Sequence, residues 1–263
     1  AGVPQIAASA SKSWDVGGTG SVPAVLGAVR FNLLTIGITN DESQGNALLV
    51  RGDKAAQYMA NPASIKGQTI LLTANSTGDY AVQSCLAKYG LKKADVTLKN
   101  MGQAEIISAM SSNNAELVGV WAPNIYTLEE KAGAKVMCSG KDGGAIVPGA
   151  LIVRADYAKE KPQNVAKFLA VYLRAQKWAN ANRKEAIAMM QKFYEQGGVT
   201  ISESAAHPEL VGHHGAEVLL PREEAAAHAA HVEGVHLLHA RVGDGLQRRL
   251  RPDRPEGLLP QFA

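Results

Sequence analysis

Histidine is absent from residues 1–206, and lysine is absent after Lys192. Without a histidine there is no Ser-His-Asp or Cys-His pair in the first 206 residues, so hydrolase chemistry of that kind is excluded there. Acidic residues form no paired general acid/base arrangement either. Only two cysteines occur, Cys85 and Cys138, at a spacing that suits no metal site. They are compatible with one disulfide or with two buried thiols. No window reaches the ~18–20 continuous apolar residues of a membrane span. The first residues, AGVPQIAASASKSWD, lack the basic and apolar regions of a signal peptide. Lysines are scattered rather than grouped into a basic stripe with interleaved aromatics, which argues against a nucleic-acid partner.

A second absence divides the chain. From Ala205 to Ala263 there is no Ser, Thr, Asn, Ile, Met, Tyr, Trp, Cys or Lys, and all seven histidines lie here. Residues 1–204 carry a formal charge of +5, whereas 205–263 carry −2. The tail reads as out-of-frame translation of a GC-rich gene or as a disordered extension. Its His228/His231 and His236/His239 pairs and His213-His214 offer a metal-binding alternative, but the spacing matches no closed zinc site. Function is therefore sought in residues 1–204, which call for no cofactor and no metal.

Those residues alternate between strand and helix patterns, the grammar of an α/β fold. Residues 4–13 predict a helix, Trp14-Asp15-Val16 a short strand and Gly17-Gly18-Thr19-Gly20-Ser21 a tight loop. A helix over 22–30 and a strand over 33–39 follow. A second unit predicts strands at 68–74, 96–100, 117–121 and 134–138, with helices at 79–89, 104–111 and 127–132. Two similar strands, 46–51 and 149–154, bracket it and suggest two chain crossings between lobes. A long helix from Pro162 carries Val165, Phe168, Leu169, Tyr172, Ala175 and Ala179 at core spacing. A last helix, 184–194, buries Ile187, Met190 and Tyr194 and stops at Gly197-Gly198.

Thr19-Gly20-Ser21 and Ser76-Thr77-Gly78 share one design: hydroxyls and flexible backbone at a helix N-terminus. Free N–H groups and the positive dipole end make such a terminus receptive to an anion. Neither segment has a P-loop or a dinucleotide spacing. The plainer alternative is that both are ordinary helix caps. Asp79 is an acid in a helix first turn or a partner for a ligand ammonium group. Arg51-Gly52-Asp53 is a chance tripeptide at a strand end.

In this order the motifs resemble the solute-binding proteins of ABC importers for nitrate, aliphatic sulfonates and taurine. The stretch from Trp14 to Pro23 is similar to that family's Asp-Val-Gly…Gly…Pro loop. Ile65-Lys66-Gly67-Gln68-Thr69-Ile70 resembles the segment opening the second lobe. Ser76-Thr77-Gly78 falls on the anion loop, and 90–96 on a Gly-Leu-x-x-x-Asp-Val turn. Glu116 to Pro123 resembles a strand ending in Trp-x-Pro, with Trp121 a candidate pocket wall. Ala122 and Asn124 depart from the acidic and aromatic residues usual there. A cousin that makes the thiamine pyrimidine depends on histidine and clustered cysteines, which residues 1–204 lack.

The resemblance implies a two-lobed periplasmic-binding-protein-like fold of the second type with an incomplete first lobe. Family members begin with a β–α–β unit before the equivalent of Pro4, and end with first-lobe helices where the tail stands here. The expected divisions are 1–52 (first lobe, part, and hinge strand), 53–148 (second lobe), 149–204 (return hinge strand and first-lobe helices) and 205–263 (tail). Expected partners are a small anionic ligand, held by Thr19, Gly20, Ser21, Ser76, Thr77, Gly78 and Trp121, and an importer permease. The permease would be the only membrane link of a monomeric, extracytoplasmic protein that catalyses nothing. A ligand-sensing regulatory module of the same fold is the alternative.

Overall fold

The computed structural model describes residues 2–196 and 201. The Gly197-Gly198 stop and every expectation for the tail lie outside the described residues. The chain runs α1 (Gly2–Ala8), β1 (Val16–Gly20), α2 (Ser21–Arg30), β2 (Leu33–Asp41) and β3 (Asn46–Val50). It continues with α3 (Ala55–Ala60), β4 (Thr69–Leu72), α4 (Thr77–Lys88), β5 (Thr97–Asn100) and α5 (Gln103–Ser111). Then come β6 (Leu117–Trp121), α6 (Asn124–Ala132), β7 (Lys135–Ser139) and β8 (Pro148–Arg154). Three helices follow, α7 (Ala155–Glu160), α8 (Pro162–Ala181) and α9 (Arg183–Gln196).

These strands form two sheets. One has the order β1-β8-β2 and is antiparallel throughout; the other has the order β5-β4-β6-β3-β7. In the second sheet β4 runs parallel to β5 and β6, and β3 runs antiparallel to β6 and β7. The parallel part is what βαβ crossovers through α4 and α5 produce. The central strands β4, β6 and β3 are buried on both faces, whereas the edge strand β5 is largely exposed, and Leu48, Ile70, Leu72, Leu86 and Leu117 form one core beside α4. Leu49, Ile106, Met110, Val118 and Leu128 form another beneath α5 and α6. The three-stranded sheet has a smaller core of Ile6, Ala24, Leu33, Ala150 and Ile152.

The Gly17–Gly20 run, expected as a loop, is strand. It pairs residue for residue with Gly149–Ile152, a partner too distant in sequence for local turn chemistry to reveal. The expected core stripe of α8 is also corrected: only Val165 is buried there, and Phe168 is 37% exposed. A 20-residue helix is about 30 Å long, and three strands spaced about 4.8 Å apart are too narrow to cover it. Leu169 does lie over Gly37 of β2, and Gln176 donates to the Thr39 carbonyl.

The chain passes between the sheets twice, at 42–45 and at 140–147, and the crossings lie side by side. Glu42 N–H donates to Val147 O at 2.7 Å, and Lys141 N–H to Ser43 O at 2.8 Å. Ser43 Oγ accepts from Val147 N–H, and Asp41 Oδ1 accepts from Ser43 N–H. Each bracketing strand ends in an anchored arginine. Arg51 donates to Asp53 and to the carbonyls of Asn113 and Ala115. Arg154 donates to Asp156, to Asp15 and to the Trp14 carbonyl. Arg51 is therefore a buried structural cation rather than a displayed loop residue. Cys85 of α4 and Cys138 of β7 form a disulfide that ties helix to sheet.

Candidate functional site

Where β1 ends and α2 begins, Gly20 is the N-cap in extended conformation, with no side-chain cap. A helix of ten residues leaves its first-turn N–H groups, those of Ser21 and Val22 among them, without intrahelical acceptors. The second N-terminus belongs to α4. Gly119 of β6 lets that helix lie close, since a Cβ there would come within 2.6 Å of Val82 Cγ2. Ser76 caps α4: its Oγ accepts from Asp79 N–H at 3.1 Å and donates to Thr73 O at 2.7 Å.

The two termini meet. A Cβ built on Gly20 would lie 2.5 Å from Thr77 Cγ2, 3.3 Å from Thr77 Oγ1 and 3.4 Å from Glu42 Oε2. Behind Thr77, a Cβ on Gly78 would lie 3.2 Å from Trp121 Cε3, so the indole lies along the first turn of α4. Gly20, Thr77, Gly78 and Trp121, with the backbone of Ser21, are thus brought to one junction between the sheets.

Two expected ligands of the anion are placed differently. Strand alternation turns Thr19 to the face opposite Gly20, and its Oγ1 stands near Gly2 and Pro23. The Ser76 hydroxyl is spent on capping within the chain. Asp79 is likewise engaged, with Oδ2 accepting from Asn75 N–H and Oδ1 from Gln83 Nε2. That leaves Asp79 as a structural acid of the first turn, where the helix dipole favours it.

Glu42 is the residue that sequence reasoning missed. It lies on the first crossing, with its backbone held by Val147 and by Asn46 Nδ2, which donates to Glu42 O at 2.9 Å. Burial pushes its carboxyl pKa up; hydrogen bonds from Asn46 and Asn40 pull it down, and the charge of Asp41 adds to the rise. Asn46 is itself buried, and its Oδ1 has no hydrogen-bond partner among the described residues. Among the described residues no group of three or more His, Cys, Asp or Glu is placed to hold a metal ion. No helix there is long and apolar enough to cross a membrane.

Two sheets joined by two adjacent crossings, with helix N-termini facing across the junction, define an α/β binding-protein architecture. The chain belongs to the NMT1/THI5-like family, whose model matches residues 42–186. It is 27% identical over 186 residues to a Bacillus subtilis (strain 168) protein provisionally named as an aliphatic sulfonates-binding protein, covering 70% of this chain and 55% of that one. It is 28% identical over 188 residues to the taurine-binding periplasmic protein of Escherichia coli K12, covering 69% and 56% respectively. The chain thus spans about half the length of the curated relatives it matches. Among solved structures, the alkanesulfonate-binding protein SsuA from Xanthomonas axonopodis pv. citri, bound to MOPS, superposes with a TM-score of 0.69 at 21% identity. That match covers 80% of this chain and 70% of SsuA, and it establishes the α/β periplasmic-binding fold.

Proposed function

We propose that the chain is the solute-binding component of an ABC importer and captures a small organic anion of the sulfonate or taurine class. The observation that carries this reading is the meeting of two helix N-termini at Gly20 and Thr77. Each terminus supplies unpaired N–H donors and a positive dipole end, and an anion between them is stabilised by both. The N–H groups of Ser21, Val22, Thr77 and Gly78 and the hydroxyls of Ser21 and Thr77 are the donors. Thr19, Gly20 and Ser76 shape the walls through their backbone and capping roles, and Trp121 provides an apolar face for the ligand's carbon chain.

The lobe boundaries lie at the paired crossings, 42–45 and 140–147, which act as the hinge; β3, on the first-lobe side of the expected 52/53 division, pairs within the second sheet. Closure of the lobes on the ligand creates the surface that a membrane permease recognises. The relatives named for binding, one of them periplasmic, support a role without catalysis outside the cytoplasmic membrane. The Cys85–Cys138 disulfide suits such an oxidising compartment. Isothermal titration of the 263-residue chain with taurine, short alkanesulfonates and nitrate tests the reading. Saturable heat with a sulfonate supports it, and no heat with any of these anions contradicts it.

A further inference from the structure

Gly20 and Gly149 stand opposite each other in the β1–β8 ladder, so their missing side chains would project from the same face of the sheet. The Glu42 carboxyl occupies that face. Its Oε1 is 2.8 Å from a Cβ built on Gly149, and its Oε2 is 3.4 Å from one built on Gly20. Thr77 Oγ1 approaches the same Gly20 point to 3.3 Å, which puts hydroxyl and carboxyl within reach of one small ligand. A side chain at Gly149 would meet Asn40 Oδ1, Thr39 Oγ1 and Glu42 Oε1, and one at Gly20 would meet Thr77 with Glu42 Oε2 in contact.

The ion pairs among the described residues use Lys12, Arg51, Lys54, Lys66 and Arg154, and none involves Glu42. Among the described residues, its carboxylate receives the neutral amides of Asn46 and Asn40 and no cation. A desolvated carboxylate without a cation is costly, and protein interiors ordinarily pair it. Beside two anion-receptive helix termini, it also repels a purely anionic ligand. Both difficulties vanish together if the ligand brings the cation.

We propose that Glu42 sets the ligand class, accepting an ammonium group carried next to the ligand's anionic group. The site then selects a zwitterion such as an ω-aminoalkanesulfonate over a simple alkanesulfonate or an inorganic anion. This assignment rests on the anion site proposed above and specifies its second pole. The sulfonate lies toward the first turns of α2 and α4, and the ammonium toward the Gly20–Gly149 face.

Calorimetric titration of the full chain with taurine and with propanesulfonate, repeated on Glu42→Gln and Glu42→Asp, tests it. The wild type binds taurine at least tenfold more tightly than propanesulfonate. Glu42→Gln loses roughly tenfold to a hundredfold in taurine affinity, the range for a hydrogen bond to a charged group, and its affinity for propanesulfonate is unchanged or higher. Glu42→Asp keeps the preference for taurine, which secures the result should the Gln variant not fold by circular dichroism. Equal wild-type affinities left unaltered by Glu42→Gln overturn the role of Glu42 and leave the anion site standing. Heat from neither ligand, with wild type and variants alike, overturns both.

Discussion

Gly20 at the end of one sheet and Thr77 at the start of a helix on the other touch so closely that a methyl group on Gly20 would stand 2.5 Å from Thr77 Cγ2. The contact closes the junction between the sheets and juxtaposes two helix N-termini. Gly20 has φ −75° and ψ 167°, a conformation that alanine adopts freely. A substitution there is therefore opposed by Thr77 rather than by the backbone.

Gly20→Ala should push the two termini apart, lower sulfonate affinity at least tenfold and cost about 1–3 kcal/mol of stability as overpacking. Thr77→Ser in the same chain removes Cγ2 while keeping the hydroxyl, and should restore most of the affinity. Calorimetric titration of the single and double variants checks both statements. An unaltered affinity for Gly20→Ala would show that the contact does not position the donors.

The disulfide joins residues 53 apart in sequence, both buried. Replacing both cysteines by alanine removes a constraint on the unfolded chain worth about 4 kcal/mol at that loop length. Chemical denaturation should show that loss for the double variant. The same loss should follow from reduction of the wild type, and a stability unchanged by reduction would contradict a structural role.

Much of the α/β order was legible because it rests on local chemistry. The Ser76…Asp79 spacing marks a capped helix start, and the apolar runs at Leu48, Ile70 and Leu117 mark buried strands. What stayed hidden depends on long-range pairing. Gly17–Gly20 has loop composition and becomes strand only because Gly149–Ile152 lies beside it. Glu42 acquires its setting from that same ladder, so nothing within a few residues of it announces a site. The motif alone places Thr19 beside the ligand, whereas strand alternation turns its hydroxyl to the face opposite Gly20. The periodicity of α8 predicts a core stripe, whereas coverage depends on the width of the sheet beneath it.

That difference is measurable. Leu48→Ala, at a fully buried position, should cost 2–5 kcal/mol (approximately) by the cavity it leaves. Val171→Ser on the exposed part of α8 should change stability by less than about 0.5 kcal/mol. Urea denaturation of the two variants separates them, and a large loss for Val171→Ser would show that α8 is packed against more than β2.

Tyr58 provides a pH test of the packing around the anchored Arg51. Burial of its phenol, then the hydrogen bond to Glu116 and that residue's charge, push its pKa from 10.0 up to about 12, against a smaller opposing effect of Arg51. The hydroxyl donates to Glu116 Oε2 at 2.8 Å. The folded state thus holds this proton where the unfolded chain has lost it. The stabilisation is complete below about pH 10 and is lost as pH rises toward 12. Tyr58→Phe should flatten that part of the alkaline stability curve measured by thermal melting, and an identical curve would contradict the linkage.

The central claim is that one small anion is held jointly by the first turns of α2 and α4. The most direct test is an amide-resolved nuclear magnetic resonance titration of the full chain with an alkanesulfonate or taurine. The account predicts that the N–H signals of Ser21, Val22, Thr77 and Gly78 move together along one saturation curve. Shifts confined to one of the two helices, or absent from both, would contradict it.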